Sequence, residues 1–175
     1  MNTYCVDACA IMDMCYRFYP RKIFPRVWLD LESSVSGQII RFAIPQDIAD
    51  EIKNNIAGFG LDEDVFKDFM DTFKVLVVAK EDYEPQLLLA AADINQVTKI
   101  KQSSMHYVHN DLSLSAVVLV KGNNWRVLTS EQKSKKAFDL VKSPNELKIP
   151  DCCNHLNIAC NNWAGLFDHI GMIVN

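Results

Sequence analysis

Four acids in this sequence stand at or just beyond the ends of strands or on the helices that follow: Asp7, Glu51, Asp111 and Glu131. Asp7 closes a short apolar run at residues 3–6. Asp111 opens a nearly all-apolar stretch that reaches Val120, where a helix N-terminus favours negative charge. Glu131 comes two residues after Thr129, at the end of the run WRVLT. Glu51 has a neighbouring competitor in Asp50. Ile48 and Ile52 mark the buried side of their helix, and Glu51 lies nearer that edge than Asp50 does. Three or four carboxylates gathered in one place repel one another and need a compensating cation. An all-oxygen donor set suits Mg²⁺ or Mn²⁺ rather than zinc. Such a site activates water for in-line attack on a phosphodiester and stabilises the leaving oxygen; two ions there would lie about 3.5–4 Å apart. Each acid also has a plainer reading. Asp7 could simply end a strand, Asp50 and Glu51 could be solvated helix surface, and Asp111 could cap a helix together with Asn110.

The elements that must position these acids follow from hydrophobic period and breakers. Residues 3–6 read as a buried strand, and residues 8–19 as a helix with Ile11, Met14, Cys15 and Phe18 at helical spacing, ended by Pro20. Pro25 opens a helix through Val27, Trp28, Leu31 and Val35, which Gly37 closes. A second strand spans residues 39–44 and ends at Pro45. A helix over residues 46–55 follows, broken by Gly58 and Gly60, and Asp62 caps another to about Asp71. Residues 74–79 (KVLVVA) form a strand or an extended connection.

Pro85 opens a helix toward Ile100, residues 103–109 are a polar connection, and Asn110 caps the buried helix 111–120 that Gly122 stops. A strand covers residues 125–129. Residues 130–143 make a charged loop with a short helix, residues 149–151 open another helix, residues 158–160 are a last strand, and 163–170 a last helix. Strands separated by helices imply an α/β fold, a parallel sheet covered on both faces. Sites in such sheets form beyond the carboxyl ends of the strands, which groups Asp7, the acids from Asp47 onward, and residues 129–131.

Composition bounds the rest. The 175 residues are 49% hydrophobic and 23% charged, as in an ordinary globular domain, and one domain over residues 1–175 is expected. Net charge is −4, so grip on a long duplex by charge alone is disfavoured. No run reaches the roughly 18 apolar residues of a membrane span, and the first residues lack a basic start and a long apolar run. A cytoplasmic protein with reduced thiols is expected. Of the six cysteines, Cys152, Cys153 and Cys160 lie with His155 in a set that could suggest zinc. Adjacent cysteines rarely bind one metal, however, and no CxxC pair is present. Buried thiols are the expected state.

The ordered segments YCVDACAIM, IPQDIADEI, HNDLSLSAVVLV and WRVLTSEQ resemble the PIN-domain family. They supply an acid after strand one, a second on the helix after strand two, a third opening a later buried helix, and a T-x-D/E after the next strand. FPRVWLDL, GQIIRFAIPQDIADEI and KIPDCCNHLNI further resemble a PIN-like subfamily of bacterial proteins. The resemblance covers most of the chain and is weakest over residues 58–104.

It implies a three-layer α/β/α sandwich, a Mg²⁺ or Mn²⁺ site and hydrolysis of single-stranded RNA. Asp7, Glu51 and Asp111 would be metal ligands, Glu131 a fourth and more variable acid, and Thr129 would bind a ligand carboxylate or the scissile phosphate. It also implies a toxin held by an antitoxin protein, and a homodimer. Two departures stand out. Cys9 replaces the Ser, Thr or Asn usual two residues after the first acid, and is a weak donor. The third helix opens as NDLSLSAVV in place of an alanine before the acid and an L-I-A run after it.

Arg17, Arg21, Lys22, Arg26, Lys133, Lys135 and Lys136 could track an RNA backbone, or line solvated surface. Tyr16, Tyr19 and Trp28 could stack bases, although Trp28 has core spacing. His106 and His109 precede Asp111 and read as surface histidines rather than a general base. The rival class is a non-catalytic PIN-like interaction module. A phosphatase with Asp7 as nucleophile is less consistent, since Cys9 stands where such enzymes carry a second aspartate.

Overall fold

The computed structural model describes residues 1–172, apart from the side chains of His106 and Tyr107. Five strands form one sheet in the order β3-β2-β1-β4-β5, and every pairing is parallel. They are β1 Asn2–Val6, β2 Ile40–Pro45, β3 Leu76–Val78, β4 Trp125–Leu128 and β5 Cys160–Asn161. The helices between them are α1 Ala8–Met12, α2 Pro25–Ser36, α3 Gln46–Phe59, α4 Glu63–Thr72, α5 Glu84–Val97, α6 His109–Lys121, α7 Ile149–His155 and α8 Trp163–His169. The helices flank the sheet in a three-layer α/β/α sandwich. Among the described residues no helix is long and apolar enough to cross a membrane.

The central strands are continuous apolar runs because both of their faces are covered. Register explains how. Tyr4 pairs with Phe42 and Arg126, and the next residue, Cys5, pairs with Ala43 and Val127, so successive rows alternate between faces. On the first face, Phe42 packs against Phe69, Phe73 and Trp163, and Trp28 lies against both Phe69 and Phe73. This aromatic cluster ties α2, α4 and α8 to β2. Helix α6 packs on β1, β2 and β4, and also touches α5 and α7. Its buried residues include Ser113, Ser115 and Ala116, small side chains that permit close approach to other elements.

Several elements differ from the sequence reading. The first helix is α-helical only through Met12; residues Asp13–Arg17 form a π turn in which the Phe18 N–H donates to the Asp13 carbonyl at 2.8 Å. α3 runs through Gly58 and stops at Gly60, whose φ of 62° is the left-handed C-terminal conformation that glycine adopts without strain. Residues 74–79 shrink to the edge strand β3. Residues Gln102–Val108 form 3₁₀ turns, so α6 starts at His109. The last strand is shifted to Cys160–Asn161.

Candidate functional site

The sheet order reverses at β1, which has β2 on one side and β4 on the other. Strands β1 and β4 therefore open the crevice at the switch point, where ligands bind in doubly wound sheets. Asp7 follows β1 directly, and its N–H donates to the Leu128 carbonyl at 2.9 Å. Thr129 follows β4, and its N–H donates to the Asn161 carbonyl of β5 at 3.0 Å. Both are fixed by the ends of the ladder, and both are buried.

Thr129 is the hub of this mouth. Its hydroxyl donates to Asp7 Oδ2 at 2.9 Å and accepts from the Glu131 N–H at 3.1 Å. The Cys9 thiol donates to the same Asp7 oxygen and lies 3.6 Å from the Thr129 hydroxyl. Cys9, two residues after Asp7, thus hydrogen-bonds that acid through a thiol. Burial pushes the Asp7 carboxyl up to about 6. The Cys9 and Thr129 hydrogen bonds oppose that rise, while Glu131 and Glu51 add to it.

Asp111 lies in the first turn of α6, where the helix terminus favours its charge. Burial outweighs that and raises it to about 7, with Asp7, Glu131 and Glu51 each pushing in the same direction and Lys148 opposing them. The Asp111 carboxylate makes no hydrogen bond or ion pair with another described residue. The four acids of the sequence reading therefore share one electrostatic neighbourhood: Asp7 responds to Glu51 and Glu131, and Asp111 to all three others.

Glu51 and Glu131 are engaged elsewhere. Asn110 does not cap α6; it lies inside the first turn, and its amide donates to Glu51 Oε2 at 3.1 Å, bridging α6 to α3. Glu131 is tied to the start of α7: Lys148 Nζ is 3.0 Å from Oε1, and the Ile149 N–H donates to Oε2 at 2.9 Å. The sequence reading had no role for Lys148, although it sits in the KIPDCCNHLNI stretch. Asp50 is exposed and bonds Gln46, in keeping with the choice of Glu51 over it. Asp47 accepts from Lys80 at 3.0 Å and from the Tyr83 hydroxyl at 3.1 Å.

Among the described residues, no group of three His, Cys, Asp or Glu side chains is placed to hold a metal ion. The chemistry of the donors nevertheless suits a hard divalent cation: all are carboxylates, and a proton or a cation would offset the charge of buried Asp7 and half-buried Asp111. The side-chain arrangement in which Glu131 is tied to Lys148 is one that a cation would have to compete with.

The basic and aromatic candidates separate clearly. Arg17 pairs with Asp13, Arg21 with Asp68, Arg26 with Asp30 and Lys136 with Glu146. Lys22, Lys133 and Lys135 form no ion pair with a described residue. Trp28 is core, donating its indole N–H to the Tyr19 carbonyl at 2.8 Å. Tyr19 packs edge-on against Phe24 and Phe167, and the Tyr16 hydroxyl bonds the Asp62 carbonyl. His109 is the first residue of α6, and the side chain of His106 lies outside the described residues. All six cysteines are free thiols, and burial holds those of Cys5, Cys15 and Cys152 well above their ordinary value.

The family model described as "Domain of unknown function (DUF4411)" matches residues 4–174. The chain belongs to that family. A search of curated proteins finds no match. The DUF4411 match takes in all four acids together with Thr129, Lys133 and Lys148, so the whole candidate site lies inside the matched region.

Proposed function

We propose that this DUF4411 protein is a metal-dependent endoribonuclease that hydrolyses phosphodiester bonds of single-stranded RNA, with an antitoxin protein as the partner that the PIN resemblance implies. One observation carries the reading. Buried Asp7 and half-buried Asp111 are raised toward neutrality at the switch point of a parallel sheet, with Glu51 and Glu131 contributing to both shifts. Acids perturbed by burial and by one another in a crevice are the pattern of a functional-site candidate.

Asp7 and Asp111 would hold the ion, with Glu51 and Glu131 completing its surroundings. A bound Mg²⁺ or Mn²⁺ would supply an activated water and charge stabilisation at the leaving oxygen. The protein's own groups do the positioning. Thr129 and Cys9 fix one oxygen of Asp7, leaving the other without a hydrogen bond to a described residue. Asn110 steadies Glu51, and Lys148 holds Glu131 in an ion pair that a bound cation would have to replace. Lys133, two residues beyond Glu131, offers a charge to the RNA phosphate.

A second reading, a non-catalytic interaction module, draws on the pairing of Glu131 with Lys148 and on there being, among the described residues, no three acids placed to hold a metal ion. The two readings separate in a single pair of measurements. An end-labelled, mixed-sequence single-stranded RNA should be cut by the parent with Mn²⁺, uncut with EDTA, and uncut by Asp7→Asn or Asp111→Asn. Millimolar Mn²⁺ should also raise the parent's melting temperature, since a ligand of the native state stabilises by RT ln(1 + [L]/Kd). Cleavage by Asp111→Asn at the parental rate would remove the site assignment. Absence of both cleavage and a Mn²⁺-induced rise would favour the module.

A further inference from the structure

Beyond the acids, on the β5 side of Thr129, lies an open cleft of about 640 Å³. That is within the roughly 300–1,000 Å³ range of small-molecule sites. Thr129 and Glu131 line it, so it adjoins the mouth where Asp7 is held. Glu131 enters this wall already neutralised by Lys148, which leaves Lys133 as the lining cation without an ion pair to a described residue.

The rest of the wall has an unusual composition. Gln132, Asn154, Asn161 and Asn162 all contribute. The side chains of Gln132, Asn154 and Asn161 make no hydrogen bond to a described residue. Asn162 spends its carbonyl oxygen on the Gly165 N–H at 2.9 Å, which starts α8 and leaves its NH₂ group without such a partner. Pro150 and Ile158 supply apolar surface between them. A carboxamide offers a donor and an acceptor side by side, the complement of a nucleobase edge.

Gly165 packs close behind this wall. A Cβ at that position would come within 3.2 Å of Asn161 Nδ2 and 3.5 Å of Asn162 Oδ1. An alanine in the first turn of α8 would therefore crowd the Asn161 amide, although alanine is the better helix former.

We propose that this cleft is a nucleobase subsite, in which Gln132, Asn154 and Asn161 read the edge of one unpaired base while Lys133 takes its phosphate. Its place beside the scissile bond rests on the ribonuclease reading; its ability to bind a nucleotide does not. Occupied in this way, the cleft sets the base preference next to the cut.

The first test needs no catalysis. The side-chain amide signals of Asn154, Asn161 and Gln132 are followed by NMR in the metal-free parent protein. Each of the four ribonucleoside 5′-monophosphates is added, with ribose 5-phosphate as the control. At least one nucleotide should shift these signals at millimolar concentration, and ribose 5-phosphate should not. Asn161→Ala should weaken that nucleotide by about five- to tenfold, the loss expected for one or two hydrogen bonds. No shift with any nucleotide, or an equal shift with ribose 5-phosphate, would overturn the subsite.

The second test maps cut sites on a randomised RNA. Asn161→Ala should flatten the base preference beside the cut with the acids intact; an unchanged profile from a cutting enzyme would overturn the placement. Nucleotide binding by a protein that never cuts RNA would instead remove the ribonuclease reading and leave the subsite standing.

Discussion

Asp111 shows what a single residue costs and gives here. Its carboxyl is held near 7 in the fold, against about 3.9 for a free aspartate, so the folded state binds the proton more tightly than the unfolded chain. The stability linked to that proton is full below the free value and is lost as pH rises through about 7. Without divalent metal, Asp111→Asn should therefore be more stable than the parent at pH 8, by roughly 1–2 kcal/mol, and the gap should narrow at pH 5 and close only below about pH 4. Chemical denaturation at the two pH values measures it; an equal gap at both would mean that Asp111 is not the buried charge. Cys9 offers a complementary probe, because its hydrogen bond works against the upward shift of Asp7. Cys9→Ala should raise the Asp7 titration further, and Cys9→Ser, a stronger donor, should lower it. Carbon-detected NMR of the Asp7 carboxyl reads both, and the same titration in all three proteins would sever the Cys9–Asp7 link.

At the scale of elements, the site depends on three junctions. The ends of β1 and β4 carry Asp7 and Thr129, the first turn of α6 carries Asp111 and Asn110, and the start of α7 reaches back to Glu131. The last junction is the one with a competitor built in. Lys148 and a divalent cation would both satisfy Glu131, and Lys148 also lowers Asp111. Replacing Lys148 with Met should move the Mn²⁺ midpoint of the melting titration to a lower concentration, by about two- to fivefold, the worth of a half-exposed ion pair. A midpoint that stays in place would show that Glu131 takes no part in metal binding. The α6 junction departs from the local reading. The sequence reading placed a capping role on Asn110, but the preceding 3₁₀ turns bring α6 in two residues earlier, and the amide spans to Glu51 instead.

Across the whole molecule, the charge balance constrains how RNA could bind. Net charge is −4, and Arg17, Arg21, Arg26 and Lys136 are paired with acids. Only Lys22, Lys133 and Lys135 of the basic candidates lack an ion pair to a described residue. Single-stranded RNA binding should then release few counterions, with a log–log salt slope of about −1 to −2, as expected for two or three phosphate contacts. Fluorescence anisotropy across a salt series would check this, and a slope several times steeper would point to a basic surface that these lysines do not supply.

The sequence determined what local rules determine. Continuous apolar runs, prolines and glycines laid out the strands and helices. The alternation of the two fixed a parallel sheet, and helical phase picked Glu51 over Asp50 as the acid nearer the core. Trp28 was legible as core from its spacing with Val27 and Leu31, and the structure buries all three. The length of β3 and the π turn at Asp13–Arg17 were not legible, because both are set by neighbours distant in sequence rather than by local propensity.

Only the tertiary structure decided the strand order that makes β1 and β4 adjacent. Thr129 then meets Asp7 across 122 positions of chain, and Glu51 meets Asn110 across 59. Tertiary structure also decided that Lys148 pairs with Glu131, and that four carboxamides share one cleft. Residue types and spacing named the acids. The energies of those acids depend on burial and on charges brought near by folding, and neither is a property of a segment read alone.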